Sequence, residues 1–199
     1  LFIETTATCN LTCSYCPRES RTDHMAWDLF TRIVGEASQY GPRSFSLHLF
    51  GEPLLYPRKR DAVNFIKSKH SRNTILLTTN GTTLNRDVDW IIKSPIDLIL
   101  WTWRPEAVFT AETKEKLRRW GKFRVRFIAE VTPKEAYAEW AEWPNVEGRQ
   151  LHNYGGNINL ESFGGNFART KPKLIASSMS GERYPGGNVE LSEFSVAIQ

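Results

Sequence analysis

A chain of 199 residues is enough for one sizeable domain and leaves little for a second, since domains usually run to about 100–200 residues. Hydrophobic residues make up 40% and charged residues 24%, which excludes a disordered or fibrous chain; the longest strongly apolar stretch, residues 95–103, falls far short of the roughly 20 residues a membrane-spanning helix needs. The net charge of +4 lies largely in runs at 58–60, 114–119 and 122–126, which read as solvated helix faces because no aromatic-basic ladder accompanies them, so a nucleic-acid partner is not expected.

In chain order, residues 1–6 read as a strand rather than as a signal peptide, and the start at Leu1 without a Met fits a trimmed chain. Residues 26–40 place Trp27, Phe30, Val34 and Ala37 at helical spacing before Gly41-Pro42 stops the helix. The second strand is expected at 44–50. The alternation then repeats: helix 57–70, strand 73–79, helix 84–94, strand 96–103, helix 110–120, strand 122–131, helix 133–143 and strand 146–153. Cycles of this kind predict an α/β fold in which a curved parallel sheet forms a partial (β/α)6 barrel over residues 1–156. Beyond it the chain repeats Gly-Gly-Asn at 155–157, 164–166 and 186–188, turn signals too irregular for a structural repeat. Residues 157–199 are therefore expected to form a loop-rich C-terminal extension or cap.

All three cysteines of the chain, Cys9, Cys13 and Cys16, fall in one short segment after the first expected strand. An odd number at tight spacing is a poor disulfide framework and points to a reducing, cytoplasmic compartment and a metal or catalytic role. Iron–sulfur clusters are normally held by four thiolates, so three in a compact loop leave one iron of a [4Fe–4S] cubane open to an outside ligand. The competing reading is a structural zinc site with His24 as fourth ligand, in a non-catalytic interaction domain.

The Cys-x3-Cys-x2-Cys spacing, with Tyr15 before the last cysteine, resembles the motif of the radical S-adenosylmethionine (SAM) superfamily. The resemblance implies that the open iron chelates the amino and carboxylate groups of SAM. One electron from the cluster then breaks the sulfur–C5′ bond, and the 5′-deoxyadenosyl radical abstracts a hydrogen from a substrate. Further positions resemble family features in order. Gly51-Glu52-Pro53 looks like the GEP motif, whose Gly and Glu contact the SAM amino group. Thr78-Thr79-Asn80-Gly81 matches a Thr-Asn-Gly turn, which makes Thr79 and Asn80 SAM-side residues. Thr102 stands where relatives place a serine facing the ribose, while Trp101 and Trp103 beside it could be barrel lining. On the next strand Arg126, Glu130 and Thr132 are candidates, with Arg126 able to pair with the SAM carboxylate; Tyr154 lies where relatives close over the adenine.

Active sites of β/α barrels lie at the C-terminal strand ends, where the cysteine loop, Gly51–Pro53 and Asn80 would all fall. The run from Gly51 to Pro57 looks most like peptide maturases with a SPASM or twitch extension, yet the auxiliary-cluster cysteines are absent. The resemblance implies a peptide or protein substrate and a reductase or flavodoxin-type electron donor. A radical must be shielded from solvent, which favours a large substrate that covers the open face; phosphorylated small molecules would suit the basic surface. No catalytic side chain is nominated, and His48, His70 and His152 read as structural or surface residues.

Overall fold

Strand and helix alternate around one parallel sheet in the computed structural model, which describes residues 1–18, 21–128 and 131–149. Strands β1 (Ser44–Ser46), β2 (Thr74–Thr79), β3 (Leu98–Thr102), β4 (Phe123–Ile128) and β5 (Val146–Arg149) lie in sequence order, and each pairs in parallel with the next. Parallel neighbours need a crossover. Helices α2 (Lys59–Lys69), α3 (Leu84–Lys93), α4 (Ala111–Trp120) and α5 (Lys134–Glu139) supply them, while α1 (Trp27–Ser38) precedes β1. The sheet is not closed, as a partial barrel requires.

Period-two alternation divides the sheet. Phe45, Ile75, Leu77, Ile99, Trp101, Phe123, Val125 and Phe127 are buried in the core. The strand register puts Leu76, Thr78, Leu98, Leu100, Arg124 and Arg126 on the opposite face, where they are half-buried. The helices carry matching apolar stripes: Phe30 and Val34 on α1, Ala62, Val63 and Ile66 on α2, Leu84, Val88 and Ile91 on α3. Each of the Val, Leu, Ile and Phe side chains among these, fully buried, contributes about 1.5–3 kcal/mol. Helix α4 is bounded locally as well. Thr110 Oγ1 accepts from the Thr113 N–H at 3.1 Å, and Gly121 closes the other end at φ 73°.

Four sequence expectations change, one being the second strand, expected at 44–50 and formed only over Ser44–Ser46. Residues 1–6 are not a full strand: Phe2 makes one parallel bridge to Ser46, with Ile3 N–H donating to Ser46 O and Ser46 N–H to Leu1 O. This segment has a neighbour on one side only, and after Ile3 it turns toward α1, where Thr6 bridges His24 and Met25 N–H donates to Thr5 O. Trp101 does not line the barrel. It is buried on the helix-facing side, with ring centroids 4.6 Å from Phe109 and 4.8 Å from Trp140, and its neighbour Trp103 also packs against that core. Helix α5 ends at Glu139, short of residue 143, because Trp140 and Trp143 turn into the same aromatic cluster. The expected extension at 157–199, Tyr154, His152 and Glu130 lie outside the described residues.

Candidate functional site

A cleft of about 140 Å³ opens at the C-terminal ends of the strands. Its walls come from the cysteine loop (Cys9, Leu11, Cys13, Tyr15, Cys16, Pro17), the segment after β1 (His48 to Glu52), the end of β2 (Thr78, Thr79, Asn80), Thr102 and Arg104 at the end of β3, and Ile128 on β4. All three cysteines therefore face the same space, as free thiols of intermediate exposure.

The loop is laced in place by the backbone. Ala7 N–H donates to Asp23 O at 2.9 Å, Glu52 N–H to Thr8 O at 2.8 Å, and Cys16 N–H to Cys13 O at 3.0 Å. The Arg18 guanidinium donates to the carbonyls of Leu11 at 3.2 Å and Arg21 at 3.4 Å, tying the two limbs of the loop together. Burial pushes the Cys16 thiol above its ordinary pKa, and the proximity of Cys13 and Cys9 pushes the same way. Burial likewise drives the Tyr15 phenol upward, against the opposing charge of Arg104. The Arg104 guanidinium lies 5.1 Å over the Tyr15 ring, and its Nε is buried with no hydrogen-bond partner among the described residues.

Glu52 ties the rim together. Only 2% exposed, its Oε1 accepts from Leu54 N–H at 3.1 Å and the Thr79 hydroxyl at 2.7 Å, while Oε2 accepts from Asn80 N–H at 2.7 Å. Burial raises its pKa from 4.5 to about 7, with the Asn80, Thr79 and Leu54 donors pulling the other way. One buried carboxylate thus joins the turn after β1 to the end of β2. Pro53, buried behind it, opens a single 3₁₀ turn, Pro53–Leu55. Gly51 is tightly packed: a Cβ there would meet Thr6 O at 1.8 Å. The amides of Phe50 and Gly51 donate to Glu4 Oε1 at 2.9 and 3.0 Å.

The cleft brings together Cys9, Cys13, Cys16, Tyr15, Gly51, Glu52, Thr79, Asn80 and Thr102 from the sequence expectations. It does not include Arg126, whose guanidinium pairs with Glu147 on β5. Thr132 is buried, and its hydroxyl accepts from Ile128 N–H at 3.2 Å, closing the turn after β4. Nor does the cleft include His24. Its absence from the lining that the three thiols share works against a role as the fourth ligand of a zinc ion, and its Nδ1 is hydrogen-bonded with Thr6 Oγ1 at 2.8 Å. Sequence reasoning missed Glu4, Arg18, Arg104 and His48. His48 Nδ1 accepts from Thr78 N–H at 3.1 Å, an extension of β1 and β2 pairing that strand-end position alone could have suggested. Glu4 and Arg18 sit in polar loops with no motif to mark them.

The donor set fits an iron–sulfur cluster. Thiolates held this near one another repel, and Cys16 is already hard to ionise, so cationic iron relieves both effects. Among the described residues no three His, Cys, Asp or Glu side chains converge as ligands of a single ion. A cubane asks for something different, with each thiolate on its own iron atom.

Comparison with known proteins supplies the remaining observations. The family model for the "Radical SAM superfamily" matches residues 3–101. GTP 3′,8-cyclase of Chlorobaculum tepidum is 30% identical over 98 residues, which are 48% of this chain and 29% of that protein. The chain thus spans less than a third of the length of that relative. Among solved structures, BtrN in complex with AdoMet and 2-DOIA aligns with a TM-score of 0.53 at 19% identity, over 75% of this chain and 68% of that one. Streptococcus suis SuiB bound to precursor peptide SuiA aligns at 0.61 and 18%, over 78% and 40%. At such identities the likeness is one of fold.

Proposed function

The chain belongs to the radical SAM superfamily, and from that premise we propose that it is an enzyme whose Cys9, Cys13 and Cys16 hold a [4Fe–4S] cluster beside a SAM site in the same cleft. When bound, the cluster supplies the electron that splits the sulfur–C5′ bond of SAM, giving the 5′-deoxyadenosyl radical that takes a hydrogen from substrate. The carrying observation is that the three thiols, the Gly51–Glu52 turn, Thr79, Asn80 and Thr102 share one cleft at the C-terminal sheet edge.

The chain's own residues bind and orient. Gly51 lets the turn after β1 pack directly on the cysteine loop, since any side chain would strike Thr6 O. The Glu52 carboxylate has all its near partners inside the protein, so its role is to hold the rim rigid for SAM. Arg104, whose buried Nε has no hydrogen-bond partner among the described residues, is a cation available to a SAM carboxylate; Arg126 is engaged by Glu147. Thr102 offers its hydroxyl to the ribose. Tyr15 and Pro17 wall off the cluster side from water.

Among the described residues the sheet stays open, which supports a peptide or protein substrate large enough to shield the radical. SuiB, of like fold, is bound to a precursor peptide. A second reading is a phosphorylated small molecule, favoured by half-buried Arg124 on the sheet face opposite the core and by the relative named as a GTP cyclase. The electron donor is proposed to be a reductase or flavodoxin-type protein.

The test is anaerobic reconstitution with iron and sulfide. A brown protein that produces 5′-deoxyadenosine with dithionite, and a Cys13→Ala variant that does neither, support the reading. A colourless wild-type protein holding one zinc refutes it. Deuterium transfer from candidate peptides or nucleotides into 5′-deoxyadenosine identifies the substrate class.

A further inference from the structure

Every polar group of Asn80 is engaged, and the pattern fixes which way its side chain points. The backbone N–H donates to Glu52 Oε2 at 2.7 Å, and the carbonyl accepts from Trp101 Nε1 at 3.0 Å. The side chain belongs to a ring of three residues. The Thr82 hydroxyl donates to Asn80 Oδ1 at 2.7 Å, Asn80 Nδ2 to Asn10 Oδ1 at 3.0 Å, and Asn10 Nδ2 to Thr82 Oγ1 at 2.8 Å. Such a ring could run in either direction if both amides flipped. It cannot here, because the Thr82 backbone N–H also donates to Asn80 Oδ1, at 3.0 Å, and a backbone amide has no acceptor form. The oxygen of Asn80 must face Thr82, so the nitrogen must face the cysteine loop. One of its two protons goes to Asn10, and Cys9 Sγ lies 3.6 Å from the same nitrogen, within reach of the other.

We infer that Asn80 is a redox-tuning residue, donating an N–H···S hydrogen bond to the thiolate of Cys9 and so raising the reduction potential of the cluster that this cysteine holds. The inference rests on the cluster reading above. Adding an electron makes the cluster and its thiolates more negative, so a fixed donor at one sulfur stabilises the reduced form more than the oxidised one. Since Glu52 and Trp101 hold the Asn80 backbone and Thr82 holds its side chain, the donor is already aligned before a cluster binds. Asn80 therefore acts through Cys9 as a positioning residue for charge.

The experiment is a redox titration of the anaerobically reconstituted chain, followed by electron paramagnetic resonance, with iron content measured alongside. Asn80→Ala should keep its iron while the ratio of reduced to oxidised cluster at a fixed ambient potential falls roughly tenfold, which for a one-electron couple is 59 mV. Asn80→Asp, of the same shape but bringing a second acceptor against the sulfur, should fall further. If Asn80→Ala fails to fold, Thr82→Ala, which removes the hydroxyl that donates to Asn80 Oδ1 and accepts from Asn10 Nδ2 but keeps the Thr82 backbone donor, should shift the potential in the same direction by less. A wild-type chain that assembles no cluster overturns both readings. A wild-type cluster whose potential is unchanged in Asn80→Asp and in Asn80→Ala or Thr82→Ala overturns this one alone.

Discussion

Replacing Glu52 by Gln tests whether a buried carboxylate organises the rim of the cleft. The wild-type group accepts three hydrogen bonds, from Leu54 N–H, the Thr79 hydroxyl and Asn80 N–H. An amide has one acceptor oxygen, so its NH2 must confront at least one of the two backbone donors. Leaving such a donor unpaired costs about 1–3 kcal/mol. The ionised wild-type group carries an opposing cost. Its pKa rises from 4.5 to about 7 chiefly through burial, so the folded state favours the protonated form. The stability this contributes is fully present below pH 4.5 and is lost as pH rises through about 7. With each pKa unit worth 1.36 kcal/mol, the loss is roughly 3 kcal/mol. Glu52→Gln does not titrate. It should therefore be less stable than wild type by about 1–3 kcal/mol at pH 4.5, and come level with it or exceed it at pH 8. Urea denaturation of both chains under reducing conditions across this range measures the difference. A stability gap that stays constant from pH 4.5 to pH 8 would refute the reasoning, since other titrating groups are common to the two proteins.

Other substitutions probe the close packing and the charges. Gly51→Ala puts a methyl group 1.8 Å from Thr6 O; the turn and the cysteine loop must separate, and reconstituted iron content should drop below half of wild type. Trp101→Ala empties the middle of the aromatic cluster and removes the donor to Asn80 O, so thermal or urea unfolding should show a loss of about 3–5 kcal/mol. Arg104→Ala should weaken SAM binding by roughly 10- to 100-fold, the worth of a hydrogen bond to a charged group, in equilibrium dialysis of the reconstituted protein. Arg126→Ala should change it less than about twofold, because Glu147 already occupies that guanidinium; the reverse ranking would show that Arg126 leaves its partner to meet SAM.

Much of the architecture was legible because it rests on local signals. Helical spacing of Phe30 and Val34, the Thr110 cap and the Gly121 stop mark their helices without reference to anything distant. The cysteine spacing and Gly51-Glu52-Pro53 are read from adjacent residues; the cysteines, Gly51 and Glu52 line the cleft, while the expected SAM-side residue Pro53 is buried behind it. Misjudged boundaries have non-local causes. Residues 1–6 have strand-forming composition, but an edge segment is held only by its single neighbour, and contacts with Asp23 and Met25 draw it away. Trp140 and Trp143 fit a helical pattern, yet the aromatic cluster under β3 captures them.

By itself the sequence determined that three thiols stand in one short loop, that strands and helices alternate, and that a Gly-Glu-Pro turn follows the second strand, since these depend on spacing along the chain. Only the tertiary structure decided what each polar side chain touches. Glu52 joins residues 27 and 28 positions away, Arg126 finds Glu147 rather than the cleft, Arg104 settles over Tyr15, and Asn80 turns its nitrogen to Cys9. Hydrogen bonds and ion pairs reach only a few ångströms, so which groups come within that range depends on how the sheet brings distant loops to one edge.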